Sequence, residues 1–213
     1  MQGYIEEAVK AGRGPASVAR EVVGRINRAT GRREGGIIGL HSQQMGYVAN
    51  MRAELADPAT MANYFTRARR DKRYDAIVRK AMAEGRAVSK ADIDRIAGRY
   101  ADRLLALRGE TIARNESLNA LRAGQHEGYR QLVESGAVRD DQIIRKWSSA
   151  KDARTRHDHL AMDGQTIRGL SAPFTAPDGS MLAYPGDTSL GASARETIQC
   201  RCQAQYQIDR KKR

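Results

Sequence analysis

The apolar positions in the first part of the chain recur at helical spacing. Val18, Val22 and Ile26 are four residues apart. A second series, at steps of three or four, consists of Met45, Val48, Met51 and Leu55. Such steps return to one face of a helix, so the pattern predicts several short helices within residues 16–88. The second helix should end at Asp57-Pro58, because the residue before a proline disfavours helical backbone.

One much longer helix is predicted after residue 88. Ser89 is a helix N-cap residue with an acid, Asp92, three positions on, and Gly136 supplies a stop. The apolar positions between them are Ile93, Ile96, Tyr100, Leu104, Leu107, Leu118, Leu121 and Leu132. An unbroken helix over residues 90–135 would reach roughly 70 Å. Because each internal glycine costs about 1 kcal/mol relative to alanine, we expect a kink or break near Gly109.

The spacing changes to strand-like after residue 137. Residues 143–147 and 165–168 are candidate strands, and residues 173–184 are typical of a hairpin around Asp178-Gly179. From Cys200 to Ile208, apolar and polar residues alternate. The fold class is therefore α+β: a mostly helical N-terminal region with a long helix, then a small domain with a short antiparallel sheet. We predict a basic helical region at 1–88, a connecting helix at 89–137, an α+β domain at 138–208 and a basic tail at 209–213.

Composition adds a strong positive charge. The 213 residues carry 37 Lys and Arg against 25 Asp and Glu, a formal net charge of +12 with a pI near 10.1. This balance favours a polyanionic partner, either nucleic acid or an acidic protein surface; a merely solvated basic surface is the alternative. The candidate contact residues, in the joint at residues 31–36 and the run at 67–73, are Arg32, Arg33, Arg67, Arg69, Arg70, Lys72 and Arg73.

The sequence also limits where the protein works. Mean hydropathy is -0.64, and no apolar run approaches the roughly 20 residues that span a bilayer. Residues 1–7 lack the basic and apolar regions of a secretory signal, so we expect a cytoplasm-like compartment. There, Cys200 and Cys202 are not expected to form a disulfide.

Chemistry-bearing side chains cluster in residues 152–163. If this segment is helical, Asp152, Arg156, His159 and Asp163 share one stripe, and Arg154 and Glu196 extend the set. We interpret these residues as a structural polar network. The alternative is a nuclease-like site in which His159 is the general base and an arginine binds phosphate.

A further alternative to a cofactor-free protein is a zinc-stabilised DNA-binding module, with His159, Cys200 and Cys202 as the zinc ligands. In an extended strand the two cysteines would lie roughly 6.6 Å apart, too wide for one ion unless the strand bends. Otherwise the thiols pack as small apolar groups.

Residues 105–205 resemble the phage Mu F-like minor head proteins, also called head morphogenesis proteins. The matching elements, in order, are Thr111-Ile-Ala-Arg-Asn-Glu116, Trp147, Asp152, Arg154, Arg156, His159, Met162-Asp-Gly164, Pro185-Gly-Asp187, Glu196 and Cys200-Arg-Cys202. The chain departs from the family pattern at Asn115, usually Thr, and at Gln199, usually Asn.

The resemblance implies a minor, non-catalytic component of a tailed-phage head, at the portal vertex inside the virion and in the host cytoplasm during assembly. Its implied partners are the portal protein, a capsid or scaffold protein, and double-stranded DNA.

Overall fold

The computed structural model describes residues 3, 7, 8, 10–29 and 33–210. It has the predicted α+β fold, with a long helix preceding small antiparallel sheets. The chain forms two compact units, one of Gly14–Ala113 and one of Arg114–Arg213 with the described residues of Met1–Arg13. The division falls within the long helix, whereas the sequence placed its boundaries near that helix's two ends.

The unit Gly14–Ala113 is built mainly from helices. In chain order its elements are α1 (Pro15–Val23), β1 (Arg25–Ile26), β2 (Arg33–Glu34), α2 (Ser42–Ala56), 3-10 turns at Met61–Thr66 and Lys72–Tyr74, α3 (Asp75–Ala83) and the first part of α4 (Lys90–Glu134). β1 and β2 pair antiparallel.

Local sequence sets the ends of these helices. Pro15 opens α1, and the His41 side chain caps α2 in a reciprocal box with Gln44. Helix α2 ends at Ala56, directly before Asp57, as predicted. The predicted Ser89 cap is also present, since its Oγ accepts the Asp92 N–H at 3.2 Å.

An aliphatic and aromatic core holds this unit together. Its buried members are Met51, Leu55, Met61, Tyr64, Val78, Ala81, Val88, Ile96, Tyr100 and Leu104. Two positions depart from the predicted apolar faces. Met45 is 55% exposed, and Ile26 lies in β1 rather than in a helix.

Helix α4 runs without interruption for 45 residues, so the predicted break near Gly109 is wrong. Gly109 instead permits close packing on α1: a Cβ there would lie 2.3 Å from Cγ1 of Val23 and 3.2 Å from the Ala19 carbonyl oxygen. Gly136 follows the helix with a φ of +73°, the left-handed conformation expected of a stop. No described helix, α4 included, is apolar over a length that would cross a bilayer.

The unit Arg114–Arg213 contains a three-stranded antiparallel sheet, whose strands lie in the order β4 (Thr166–Arg168), β3 (Ile143–Ser148) and β7 (Gln203–Ile208). Its remaining elements are a 3-10 turn at Asp140–Gln142, β3 (Ile143–Ser148), α5 (His157–Ala161), β4 (Thr166–Arg168), β5 (Phe174–Thr175), β6 (Met181–Leu182), α6 (Ala194–Thr197) and β7 (Gln203–Ile208). The predicted strands and the hairpin, now β5 and β6, are confirmed.

Trp147 is the centre of this unit's core. It sits on β3 opposite Ala204 of β7 and is fully buried. The other buried members of the cluster are Met162, Phe174, Ala176, Leu182, Cys200, Cys202 and Ala204. Helix α5 and the segment before β7 therefore meet beside Trp147, and this meeting creates the candidate site.

Candidate functional site

His159 lies at the centre of a buried polar cluster. It occupies the single turn of α5, is 2% exposed, and packs edge-on against Trp147 with ring centroids 5.7 Å apart. Both ring nitrogens face polar groups. Nδ1 lies 3.4 Å from Sγ of Cys202, and Nε2 lies 2.9 Å from Oε2 of Glu196.

Glu196 is a fully buried carboxylate on α6. Its contact with His159 is short but lacks hydrogen-bond geometry, and among the described residues neither carboxylate oxygen has a hydrogen-bond partner. Arg195 contributes only a distant contact, Nε to Oε1 at 3.9 Å. Because an uncompensated buried carboxylate is costly, Glu196 needs positive charge or a donor on the His159 side.

Electrostatics at His159 reflect this environment. Burial lowers the pKa of His159, but the adjacent Cys200 thiol and the nearby carboxylate of Glu196 outweigh burial, so the net pKa is raised. The cluster thus favours positive charge at the imidazole position.

Cys200 and Cys202 precede β7 instead of forming part of it. The strand begins at Gln203, and Gln199 has a φ of +56°, a left-handed conformation that turns the chain. The expectation of a regular strand from Cys200 onward is therefore wrong. One ligand atom each from His159, Cys200 and Cys202 lie within 4.8 Å of one another.

The turn at Gln199 is held by Asn115 of α4, whose Oδ1 accepts the Gln199 backbone N–H at 2.9 Å. Asn115 and Gln199 are also the two positions at which the resemblance described above is imperfect. The structure therefore places both departures in one contact.

Arg122 of α4 fixes the backbone of the cysteine segment. Its Nη2 donates to the carbonyl of Cys200 at 2.9 Å and to that of Cys202 at 2.7 Å, although the residue is only 7% exposed. Burial lowers the pKa of Arg122. Sequence reasoning missed this residue, because a lone arginine on a long polar helix resembles a solvated one.

The two thiols differ in acidity. The hydrogen bond from Cys202 lowers the pKa of Cys200, with His159 and Arg122 acting in the same direction. The same hydrogen bond and burial raise the pKa of Cys202, although the indole N–H of Trp147 opposes the rise.

The predicted polar stripe is not formed, because only residues 157–161 are helical. Asp152 precedes the helix in a turn in which it accepts the Arg154 N–H at 3.0 Å. Its carboxylate then pairs with Arg201. A side chain that bonds its own backbone competes with helix formation, which explains why α5 starts late.

The remaining residues of the set, Arg154, Arg156 and Asp163, each have a defined partner. Arg154 is exposed and lies 3.8 Å from Asp152. Arg156 donates to the carbonyl of Ile198. Asp163 accepts the Ser149 N–H at 2.8 Å and pairs with Lys151 at 2.9 Å. Of the six predicted network residues, the structure joins two pairs directly, His159 with Glu196 and Asp152 with Arg154.

A second buried arginine was also missed. Arg145 is fully buried on β3, and its guanidinium donates to the carbonyls of Gly169, Ala172 and Ala183. The two-residue period of a strand is the sequence signal that would have identified Arg145 as buried, because Ile143, Arg145 and Trp147 lie on the same, buried face of β3.

The basic run at residues 67–73 divides into two sets. Arg67, Arg70 and Arg73 form ion pairs, with Glu54 at 2.6 Å, Asp75 at 3.0 Å and Asp71 at 2.6 Å respectively. Arg69 and Lys72 are exposed and pair with no carboxylate of the described residues.

The joint at residues 31–36 contributes two more candidate contact residues, Arg32 and Arg33. Arg33 lies 3.5 Å from Asp102 and donates to the Gly24 carbonyl at 2.7 Å. Arg32 falls outside the described residues.

Residues 75–205, which include most of the long helix and nearly all of the α+β domain, match one protein-family model. The family model described as Phage Mu protein F like protein matches residues 75–205, more than half of the chain. The chain belongs to this family, as the motifs predicted, and the match begins well before residue 105. Comparison with curated proteins and with solved structures finds no match.

Proposed function

We propose that this head morphogenesis protein is a minor component of a tailed-phage head that docks at the portal vertex and contacts packaged double-stranded DNA. Family membership is the observation that carries the proposal. Charge and exposed side chains then suggest which surface serves which partner.

The positive charge is concentrated in one unit. Residues 14–113 contain 19 of the 37 Lys and Arg residues but 11 of the 25 Asp and Glu residues, a net +8 of the chain's +12. A basic unit of this kind suits a phosphate backbone, which attracts cations without regard to base sequence.

Arg69 and Lys72 are the members of the basic run best suited to DNA. Their neighbours Arg67 and Arg70 are mostly buried in ion pairs, each with about one sixth of its side chain exposed. Because Arg69 and Lys72 form no ion pair within the described residues, they can bind DNA phosphates and release counterions without breaking an internal ion pair.

For the protein partner we propose the exposed apolar side chains beside the buried cluster. Leu160 is 51% exposed and Ile198 is 45% exposed. Arg156 connects them, since its carbonyl accepts the Leu160 N–H at 2.9 Å and its guanidinium donates to the Ile198 carbonyl. A fixed apolar pair with an adjacent cation fits an acidic, partly apolar surface of the portal protein, with a capsid or scaffold protein as the alternative occupant.

The DNA contact is tested by measuring the affinity for a labelled duplex over a range of salt concentrations. We expect affinity to fall steeply with salt, and Arg69→Ala with Lys72→Ala to reduce the slope of log K against log salt by about 1.8. The matched control removes two exposed cations from the other unit, Arg114→Ala with Lys146→Ala, and should change the slope less. Binding that is absent or insensitive to salt would assign the charge to a protein partner.

Docking is tested by co-expressing the chain with the portal protein and measuring co-purification and incorporation into heads. Leu160→Asp with Ile198→Asp should lower both at least tenfold without unfolding the protein. The control is Met181→Asp, at an exposed position on β6. Normal incorporation of the double variant would rule out this surface.

A further inference from the structure

We propose that His159, Cys200 and Cys202 bind one zinc ion, which ties α5 to the segment before β7. The proposal concerns the interior of the unit Arg114–Arg213 and does not depend on which partner the protein docks to.

The first support is the convergence of the ligand atoms. Zinc at about 2.0–2.1 Å from nitrogen and about 2.3 Å from sulfur sets tetrahedral N···S and S···S separations of roughly 3.6 and 3.8 Å. The distance from Nδ1 of His159 to Sγ of Cys202 is 3.4 Å, and no pair in the set exceeds 4.8 Å. Sulfur movements of about 1 Å would complete the geometry.

The second support is the unpaired carboxylate of Glu196. A histidine that binds a metal through one ring nitrogen almost always presents the other to a carboxylate, a carbonyl or water. Here Nδ1 faces the thiols while Nε2 faces Oε2 of Glu196 at 2.9 Å. Zinc on Nδ1 places the imidazole proton on Nε2. A small tilt of the His159 ring would direct this N–H to Glu196. The buried carboxylate, which otherwise has no hydrogen-bond partner among the described residues, would then accept one hydrogen bond.

Charge balance around the cluster is the third support. Two thiolates neutralise Zn²⁺, and the buried cation Arg122 balances the buried anion Glu196. Arg122 also holds the Cys200 and Cys202 carbonyls, so the two thiols are positioned before any ion arrives. The indole N–H of Trp147, buried without a partner of standard geometry, can donate to the Cys202 thiolate.

The donor set selects zinc among common ions. Thiolate and imidazole suit zinc and are poor ligands for magnesium or calcium. No further His, Cys, Asp or Glu of the described residues joins the set, so water takes the fourth position. Three protein ligands with an open fourth position are usual for a catalytic zinc, but each ligand here is only 2% exposed, so the ion that we propose is shielded from solvent and has a structural role.

The decisive experiment is metal analysis of the full-length protein purified without chelators. We expect about one zinc per chain, and we expect chelation to lower the melting temperature by several degrees. Cobalt added to the chelated protein should produce a thiolate-to-cobalt charge-transfer band. Less than a tenth of a metal ion per chain together with no such band would overturn the proposal, as would a stable Cys200–Cys202 disulfide in protein purified under reducing conditions.

Matched variants locate the ion. Cys202→Ser and His159→Gln should abolish stoichiometric zinc, whereas Arg154→Ala should retain it, because Arg154 is exposed and outside the cluster. Glu196→Gln should weaken zinc affinity by 10–100-fold. If the ligand variants fail to fold, the cobalt spectrum of the wild-type chain decides alone; zinc that persists in a folded Cys202→Ser protein would contradict the assignment.

Discussion

The two units differ in the kinds of side chain that they bury. The interior of Gly14–Ala113 is almost entirely apolar, with Gln44 and Asp71 as its buried polar residues among those described. Arg114–Arg213 buries many more polar groups, namely Ser117, Arg122, Arg145, Ser149, His159, Asp187, Glu196 and Thr197. The difference follows from how each unit satisfies its backbone.

Helices satisfy their own carbonyls, whereas short strands and loops do not. Arg145 donates hydrogen bonds to backbone carbonyls of the loops around the β5–β6 hairpin, and Arg122 donates to a carbonyl in the turn before β7. The Asp187 carboxylate accepts hydrogen bonds from the backbone N–H groups of Ala183 and Ser189. A unit poor in regular structure therefore depends on buried ions for the hydrogen bonds that helices supply elsewhere.

Removing Arg145 should have the largest effect. Arg145→Met keeps the length of the side chain but leaves the carbonyls of Gly169, Ala172 and Ala183 without their donor, so we expect a loss of about 4 kcal/mol or more. Urea unfolding followed by the fluorescence of Trp147, the single tryptophan, reports on this unit.

The control for that variant is Arg168→Met on the neighbouring strand. Arg168 has half of its side chain exposed and pairs with Asp209 at the surface, so its loss should cost less than about 1 kcal/mol. Equal losses for the two variants would remove the distinction between buried and surface arginines.

Truncating a buried apolar side chain tests the corresponding claim for the unit Gly14–Ala113. Leu55 is fully buried in the helical core, and Leu55→Ala should lower the free energy of unfolding by about 3 kcal/mol through lost contacts and a cavity. Met45, which lies on the same helix and is 55% exposed, is the control. Met45→Ala should change stability by less than about 0.5 kcal/mol in thermal melts followed by circular dichroism; a loss as large as that of Leu55→Ala would refute the assigned face.

The smallest effect should come from Asp71, the buried carboxylate of the helical unit. Its pKa is lowered to about 2, first by its hydrogen bond with Arg73, with Arg103 at 3.4 Å adding to the shift. The pKa of an unfolded aspartate is about 3.9, so its stabilisation is complete above about pH 4 and is lost as the pH falls toward about 2.

We therefore expect Asp71→Asn to be less stable than wild type at neutral pH, and the two stability curves to converge near pH 2. The measurement is the free energy of unfolding of both proteins across pH 2–7. A constant difference over the whole range would show that the carboxylate charge is not responsible.

Periodicity predicted most of the architecture. The apolar steps placed α2, the apolar steps together with the Ser89 cap placed α4, and the two-residue alternation placed β7, because these elements bury a face that local sequence encodes. The Gly109 break was wrong because glycine also serves close packing on α1, which depends on a residue far away in the chain.

The site was predicted less completely. Sequence identified His159, Cys200 and Cys202 as one candidate set, but assigned the cysteines to a regular strand. Their convergence depends on the positive φ of Gln199 and on Arg122, 78 residues before Cys200. The stripe at 152–163 failed for a local reason, since Asp152 bonds its own turn.

Hydrogen exchange of the wild type and of Arg122→Leu tests the central claim, that buried ions hold one unit and apolar burial the other. We predict faster exchange in peptides covering Cys200–Ile208 and α5, with peptides from Gly14–Ala113 unchanged. Faster exchange spread equally over both units, or no change around the cysteines, would contradict the account.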